Sequence, residues 1–482
     1  MMKRLFYFIM IVAGIVACSD DDSFSTSRNN MLTLPADTLM LDTVFSNTPS
    51  SMYAFWVRNG SGDGIRIGSV RLERGNQTGF RVNVDGVYLD NNNGSIAHDF
   101  EVRKGDSICV FVELTSRNNG ELEPQKISDR LLFALESGVE QGITLCAYSW
   151  DAEMVDSLIV EENTILAPVR PYVVRRGIKV NEGKTLTIAA GTKMFFHEDA
   201  GIDVFGNLVV DGTAGNEVVM RGDRLDHMFN YLPYDRVSGQ WRGLRFFDTS
   251  YDNRISFADI HSCKDAIVCD SAAFSDETLR LGIDHSTIHN CDGYGVLAFN
   301  SHIAISNTQI TNTAADCLAV YGGACSVVYT TLAQFYPFIA DRGVALRMSN
   351  FYNDVPYPLV SMQCVNCIVT GYAADVLMGE RLDDEETPFV YYFANCILRT
   401  PDPEATEEEE YPLYDVIYET AEDSINGKQH FANIDEDNLY YDFRLTEGSP
   451  AIGSALPVEG FADDRLGNPR SAETPSMGCY EY

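Results

Sequence analysis

Residues 31–150 alternate apolar and polar side chains over short stretches. Apolar residues recur at every second position, which predicts strands that each bury one face. The clearest runs are Ile65–Leu72, Phe80–Val84 and Ile108–Leu114. Pairs such as Asn59-Gly60 and Asn119-Gly120 stand between the strands and predict turns. This spacing predicts an antiparallel β-sandwich over residues 31–150.

The pattern changes after Trp150. The apolar runs become short, and glycine stands at nearly every bend, as at Gly183, Gly206 and Gly212. Short strands joined by tight corners suit a parallel β-helix, because each coil must turn about three times around a narrow apolar core. We therefore predict a β-helix over residues 151–400.

The middle of this region contains an ungapped repeat, formed by the segments Ile255–Cys263, Ile283–Cys291 and Ile305–Thr313. The second isoleucines of these segments lie 28 and 22 residues apart, a spacing compatible with one coil per repeat. Val327 and Leu332 are predicted to continue the two apolar columns of the repeat. The inner column is predicted to continue further at Ile368 and Ile397.

Residues 401–482 are predicted to form an acidic loop followed by a cap. Five of the seven residues from Glu404 to Glu410 are glutamates, which predicts a solvated loop, as does the acidic stretch from Asp383 to Glu386. The glycine-rich and proline-rich remainder is predicted to cover the unpaired edge of the last coil, because an open end would promote aggregation.

These motifs resemble known protein families. Ile178 to Arg399, with the segment Trp241–Phe246, resembles right-handed parallel β-helix proteins of the pectin lyase-like superfamily. The sandwich looks like the Ig-like modules that precede β-helices in cell-surface proteins, and residues 442–482 look like the closing segment of bacterial surface β-helix proteins. The resemblance implies an all-β protein whose fold hosts lyases, hydrolases and plain binding proteins.

The N-terminus has the pattern of a lipoprotein signal peptide. Lys3 and Arg4 precede an apolar run that is too short to span a bilayer and that ends at Ala17-Cys18. The resemblance to a lipobox implies cleavage after residue 17 and lipidation of Cys18, followed by a polar tether over residues 18–30. Residues 19–22 resemble the acidic export signal of Bacteroidota surface lipoproteins. The expected location is the outer membrane, with the chain lipid-anchored and facing out.

The net charge of the chain limits the classes of molecule that it can bind. The formal net charge is −35, and it becomes −37 when Lys3 and Arg4 leave with the signal peptide. Such an anion argues against nucleic acid and against unassisted binding of polyanionic glycans. Neutral extracellular polysaccharides, cations and surface proteins remain, and the lipid anchor is the expected contact with the membrane.

The positions of the cysteines favour buried free thiols over a metal site or a redox site. Of the twelve cysteines, Cys18 is expected to carry lipid, which leaves an odd number. The Cys364-x-x-Cys367 spacing follows from strand sequence, because Cys367 and Cys396 fall in one column when the repeats are aligned. Cys263 and Cys291 are predicted to stack in the same way, and no second cysteine pair supplies zinc ligands.

Candidate chemistry is sparse. A polyuronate lyase needs a basic residue beside a carboxylate-neutralising site, and Lys193 and Lys264 are the only lysines between Gly191 and Thr400. The polygalacturonase signature is absent. The candidates for cation binding or acid-base work are turn carboxylates and histidines predicted to point outward from adjacent coils: Asp265, Asp292, Asp316, Asp375, His261 and His289.

We therefore expect a surface protein that binds an extracellular glycan or protein without catalysis. A polysaccharide lyase or glycoside hydrolase acting on the β-helix flank is one alternative, and a structural or adhesive protein is another. No organic cofactor is expected, and calcium stays an open alternative at the turn carboxylates.

Overall fold

A computed structural model describes residues 23–384, 386–403 and 412–482. The lipidation candidate Cys18 and most of the acidic loop lie outside these residues. The described chain divides into two compact units, one ending at Asp151 and the other running from Ala152 to Tyr482. Within the described ranges, no helix has the length and apolar character needed to cross a bilayer.

The first unit is built from strands that alternate buried and exposed residues. In chain order they are β1 (Thr38–Phe45), β2 (Tyr53–Arg58), β3 (Ile65–Leu72), β4 (Phe80–Val84), β5 (Val87–Tyr88), β6 (Ile96–Val102), β7 (Ser107–Leu114), β8 (Gln125–Leu135) and β9 (Glu140–Trp150). A short 3-10 helix spans Asn91–Asn93.

Two sheets enclose the core of this unit. Their strand orders are β1-β9-β8-β3-β6 and β2-β7-β4-β5. Residues of both sheets, such as Ile67, Val70, Val82 and Val110, share one buried apolar cluster. Neighbouring strands are antiparallel as predicted, except that β1 pairs in parallel with β9.

The strands of the second unit are mostly three to five residues long. The first set is β10 (Glu153–Val155), β11 (Leu158–Val160), β12 (Thr164–Leu166), β13 (Tyr172–Val174), β14 (Ile178–Val180), β15 (Thr185–Ala189), β16 (Lys193–Phe196), β17 (Gly201–Val204), β18 (Asn207–Asp211), β19 (Val218–Gly222), β20 (His227–Phe229), β21 (Leu232–Pro233), β22 (Gly243–Phe246), β23 (Asn253–Ser256), β24 (Ala258–His261), β25 (Ile267–Cys269), β26 (Leu281–Asp284) and β27 (Thr287–Cys291).

The remaining strands are β28 (Val296–Ser306), β29 (Gln309–Thr313), β30 (Leu318–Val328), β31 (Thr331–Gln334), β32 (Leu346–Ser349), β33 (Phe351–Tyr352), β34 (Val355–Pro356), β35 (Leu359–Val365), β36 (Ile368–Gly371), β37 (Leu377–Glu380), β38 (Phe389–Ala394), β39 (Ile397–Leu398), β40 (Leu413–Tyr414), β41 (Ile417–Tyr418), β42 (Phe431–Asp435) and β43 (Tyr440–Leu445). Two 3-10 helices span Tyr234–Arg236 and Gly427–His430.

Successive strands return to the same place once per turn, so that the chain forms stacked coils of three strands. The first column contains β11, β14, β17, β22, β25 and their continuation in β28, β30, β32 and β37. The second contains β12, β15, β18, β23, β26, the later parts of β28 and β30, and then β35, β38 and β40. The third contains β10, β13, β16, β19, β24, β27, β29, β31, β36, β39 and β41. The predicted all-β class and large parallel sheets are confirmed.

The register of the repeat follows the predicted columns. Ile260 lies opposite Ile288, and Ile288 lies opposite Ile310. Leu332 continues this column and Val327 continues the other one. These apolar residues are buried in the central core of the coils.

The predicted inner positions of Ile368 and Ile397 are wrong by one residue. Ile368 pairs with Thr331 and Ile397 pairs with Ile368, whereas Val369 and Leu398 continue the inner column. Ile368 and Ile397 point away from the coil core into a second apolar cluster, which they share with residues of the C-terminal segment such as Phe431, Phe443 and Met477. Both faces of these strands are therefore buried, so hydrophobicity alone could not assign the inner face.

The C-terminal segment lies along the outer side of the third column. Arg465 donates to the hydroxyl of Thr287, and the Tyr480 hydroxyl donates to the side chain of Gln309. The Cys479 amide donates to the hydroxyl of Thr331. These contacts are with the flank of coils in the middle of the stack, whereas the sequence predicted a cover for the last coil. The polar residues on this flank provide the hydrogen-bond partners that hold the segment there.

Candidate functional site

Two histidines lie opposite each other on the outer side of the third column. His261 on β24 pairs with His289 on β27, and their ring centroids are 4.7 Å apart with ring planes inclined by 25°. Each follows a fully buried isoleucine, Ile260 or Ile288. Because side chains alternate along a strand, the histidines must point away from the core.

Asp259 joins the two histidines. It stands two residues before His261 and therefore shares its outward face. Its Oδ1 atom lies 3.0 Å from Nδ1 of His261 and 3.1 Å from Nε2 of His289. The Asp-x-His spacing on a strand is the sequence signal from which this contact could be predicted.

A fourth group comes from the connection between β19 and β22, residues 223–242. Asp235 in this connection places Oδ1 3.1 Å from Nε2 of His261. Arg221 donates a hydrogen bond to the same carboxylate, and the Ser262 hydroxyl donates to the Asp235 carbonyl oxygen at 2.8 Å. Asp235, Asp259, His261 and His289 are called the histidine cluster below.

Trp241 fixes the end of this connection against the coils. Its fully buried ring stacks on Phe196 with centroids 4.3 Å apart. Its indole N–H donates to the carbonyl oxygen of His261 at 2.8 Å. The residue that returns the chain to the coil core thus also holds the backbone of the histidine cluster.

Charge is concentrated in the histidine cluster. Burial alone lowers the pKa of His261, but Asp259 and Asp235 outweigh it and raise this pKa to about 9. Burial alone raises the pKa of both carboxyl groups, but His261 and its charged neighbours hold the pKa of Asp235 and that of Asp259 below the ordinary range. At neutral pH the imidazolium of His261 therefore lies between two carboxylates.

The cluster is open to solvent on one side. The exposed side-chain fractions are 6% for His261, 24% for His289, 28% for Asp259 and 46% for Asp235. His261 is enclosed, whereas the other three side chains present atoms to water. A small ion or a polar group of a ligand can reach them without unfolding the coils.

Exposed aromatic side chains stand on the 223–242 connection, which carries Asp235, and on two segments that contact this connection. We call the four of them the aromatic rim: Phe229, Tyr231, Phe338 and Tyr440, each between 52% and 58% exposed. Phe229 and Tyr231 lie on the β20–β21 hairpin, and their parallel rings have centroids 5.8 Å apart.

Contacts between the loops hold the rim together. The Ser238 hydroxyl and the Tyr336 hydroxyl are 2.9 Å apart, and the Tyr336 ring meets the edge of Phe338 with centroids 5.4 Å apart. The Arg236 guanidinium lies 5.2 Å from the ring centre of Tyr440. The 223–242 connection is thereby linked to the loop after β31 and to the β42–β43 hairpin.

The turn carboxylates do not join the histidine cluster. Asp265 and Asp316 each accept the backbone N–H of the next coil, from Tyr294 and Val344 respectively, both at 2.8 Å. Asp316 is also paired with Arg347, whose Nε lies 2.6 Å from Oδ2. In the strand register, Tyr294 stands between Asp265 and Asp316. The two carboxylates are therefore two coils, about 10 Å, apart.

The two other acidic candidates are also separate. Asp375 is exposed and accepts the N–H of Leu377 at 3.2 Å. Asp292 is exposed beside Gly239 of the 223–242 connection. The structure therefore brings together His261 and His289 but not the four turn aspartates.

Two hollows lie elsewhere on the described surface. One of about 670 Å³ is on the first unit, and one of about 330 Å³ is on the second column. The first is lined by Met52, Tyr88 and Phe111 among others, and its lining includes the Arg81–Glu113 ion pair. Neither hollow contains a residue of the histidine cluster.

Comparison with known proteins gives no assignment. No family model and no curated protein matches the chain. The catalytic unit of a thermostable GH87 α-1,3-glucanase from Streptomyces thermodiastaticus is 10% identical over 72% of this chain and 74% of that chain, with a TM-score of 0.30. The CupB6 tip adhesin from Pseudomonas aeruginosa is 12% identical over 23% of this chain and 39% of that chain, with a TM-score of 0.17.

A family 123 glycoside hydrolase from Clostridium perfringens is 7% identical over 26% of each chain, also with a TM-score of 0.17. Likenesses this weak do not indicate an activity. The candidate site rests on its own geometry.

Proposed function

We propose that this protein is a non-catalytic binding module for a neutral extracellular glycan, which contacts the aromatic rim around the histidine cluster. The observation that carries the proposal is the set of four exposed aromatic side chains on the connection that carries Asp235 and on the segments that contact it. Aromatic rings present apolar faces that suit the C–H faces of sugars. The carboxylates and His289 beside them supply hydrogen-bonding partners for hydroxyl groups.

The charge of the chain favours a neutral ligand. With a net charge of −35, the protein repels polyanions over long distances. At the histidine cluster, His261 and Arg221 balance the charges of Asp235 and Asp259, so no excess positive charge is present there to offset the repulsion. A neutral polysaccharide does not meet this barrier.

The pKa values argue against hydrolysis by the same two carboxyl groups. A glycosidase needs one carboxyl group whose pKa is raised so that it can protonate the leaving oxygen. The pKa values of Asp235 and Asp259 are both lowered, so neither carries a proton near neutral pH. This pair therefore suits recognition better than general acid catalysis.

The proposal includes the finer sequence interpretation. We propose a right-handed, pectin lyase-like β-helix for the second unit and an Ig-like sandwich for the first. The whole is held at the outer surface of an outer membrane by lipid on Cys18. The lipobox and the acidic residues that follow it support the location.

The ligand proposal is tested with the full chain against neutral and acidic polysaccharides, by affinity electrophoresis together with detection of new reducing or unsaturated ends. We expect retention by a neutral glycan without new chain ends. The double variant Phe229→Ala/Tyr231→Ala should weaken retention at least about tenfold, because each lost ring removes on the order of 1 kcal/mol of contact.

The matched control is Tyr392→Ala/Tyr414→Ala, which removes another exposed pair with ring centroids 5.3 Å apart on the second column. This variant should bind like the parent. New chain ends would instead establish a lyase or hydrolase. Failure to retain any polysaccharide would favour a protein ligand or a structural role.

The location is tested by Cys18→Ser. We expect the parent chain to partition with membranes and to be removed from intact cells by an added protease. The variant should lack the lipid and leave the membrane fraction, because no acyl chain is attached and the apolar leader is too short to span a bilayer. Membrane association of the variant equal to that of the parent would contradict the lipid anchor.

A further inference from the structure

We propose that Asp259, His261 and His289 form a binding site for a transition-metal dication of the zinc class. Each residue offers one ligand atom, and these three atoms all lie within 4.8 Å of one another. This inference stands on the geometry of the three side chains and does not depend on glycan binding.

The distances suit a small metal ion. Asp259 Oδ1 lies 3.0 Å from His261 Nδ1 and 3.1 Å from His289 Nε2. Ligand bonds of 2.0–2.1 Å in a tetrahedral zinc site place ligand atoms about 3.3 Å apart. The ligand atoms of the two histidines lie within 4.8 Å of each other, so small side-chain movements bring all three atoms to zinc distances. The ion takes the place of the Nδ1 proton of His261, which is released to water.

The donor types select the class of metal. Two imidazole nitrogens and one carboxylate oxygen suit zinc, cobalt or nickel, whereas calcium and magnesium prefer sites made of oxygen ligands. Calcium is the cation that the sequence suggests for the turn carboxylates. The site in the histidine cluster calls for a different metal.

Neighbouring groups orient the ligands. Asp235 engages Nε2 of His261 at 3.1 Å, which directs the Nδ1 side of the ring toward Asp259. Arg221 in turn pairs with the Asp235 carboxylate. A carboxylate behind a ligating histidine is a common device for fixing ring orientation and raising the basicity of the ligand.

The site also has an open coordination position. Three protein ligands leave one tetrahedral position for water or a ligand oxygen, as in zinc sites that exchange ligands. Asp259 and His289 are both partly exposed to solvent. A metal ion can therefore enter from solvent.

The test uses the full chain after treatment with a chelator. Zinc binding is measured by calorimetry, and Co²⁺ is used as a spectroscopic probe. We expect uptake of one ion per chain and the strong visible absorption of four-coordinate Co²⁺ with nitrogen and oxygen ligands. Absence of stoichiometric uptake, a six-coordinate Co²⁺ spectrum, or a sulfur-to-cobalt charge-transfer band would overturn the proposal.

Variants locate the site. His289→Gln and Asp259→Asn should each weaken zinc binding more than about 100-fold, and Asp235→Asn should weaken it about 10- to 100-fold through the orientation of His261. Because these side chains are partly exposed, we expect all three variants to fold, which thermal unfolding would verify. Undiminished binding by the folded His289→Gln and Asp259→Asn variants would refute the assignment.

His197→Gln is the matched control. His197 also faces a single carboxylate, with Nδ1 2.9 Å from Oδ2 of Asp223, and its side chain is largely exposed. The pair consists of one histidine and one aspartate, whereas the proposed site has two histidines. This variant should bind zinc like the parent, whereas a loss comparable to that of His289→Gln would show nonspecific surface binding and would count against the site.

Discussion

Gly243 is confined by the backbone of the next coil. Its φ angle is 95°, and a Cβ atom there would lie 1.7 Å from the carbonyl oxygen of Asp265. We expect Gly243→Ala to lower the free energy of unfolding by about 2 kcal/mol or more, because it adds both backbone strain and a clash. Urea unfolding measures the change. Gly379→Ala is the control, since its nearest neighbours lie at ordinary contact distance, and an equal loss there would contradict the explanation.

Buried thiols give a second prediction at this scale. Among the described residues, all cysteines are free and buried except the half-buried Cys109. Burial raises the pKa of thiols such as Cys479, to about 11, and Cys364, so the reactive thiolate is scarce.

We therefore expect alkylation of the native chain, followed by mass spectrometry, to modify at most Cys109 among the described cysteines. All of them should react after unfolding. Rapid native labelling of Cys263 or Cys291, whose sulfur atoms are 3.5 Å apart, would contradict this view.

Sequence reasoning could find only part of the histidine cluster. Strand alternation placed His261 and His289 on one outward face because the buried isoleucines around them set the register. Asp235 comes from an irregular connection with no periodic pattern, 26 residues before His261. Nothing in the spacing of residues indicates where such a connection packs.

At the scale of elements, the repeat was predictable because each coil buries the same positions. The error at Ile368 and Ile397 arose where the C-terminal segment covers the outer face, so apolar residues occupy both sides of the strand. The position of the C-terminal segment on the flank could likewise not be predicted from the sequence. Its contacts depend on single polar groups such as Thr287 and Gln309, which look like ordinary surface residues in a sequence.

His285 makes the docking of this segment dependent on pH. Its Nδ1 lies 3.0 Å from Asp284, and its Nε2 lies 3.2 Å from Asp463 in the C-terminal segment. Burial by itself lowers the pKa of His285, but these two carboxylates raise it above 6.5. The charged histidine therefore stabilises the fold below about pH 6.5, and this contribution is lost as the pH rises through the raised pKa.

We expect the free energy of unfolding to fall as the pH rises above about 6.5, and to fall less in His285→Gln. Urea unfolding at several pH values measures both. An identical pH dependence in parent and variant would show that the His285–Asp463 contact has no net effect.

At the scale of the whole molecule, each unit has its own apolar core. The core of the first unit consists of residues between Leu32 and Ala147. The clusters of the second unit consist of residues from Val160 onward. We expect residues 152–482 expressed alone to unfold cooperatively, as followed by circular dichroism during heating. A broad transition without cooperativity would show that the second unit needs the first.

The contact between the C-terminal segment and the middle coils also sets an order of events during synthesis. Tyr480 reaches Gln309 across 171 residues of chain, so the ribosome must add all of them before this hydrogen bond can form. From their own synthesis until the C-terminal segment follows, Ile368 and Ile397 lack the residues that bury their outer faces. The nascent chain is therefore most vulnerable to aggregation late in translation, when most coils are already made.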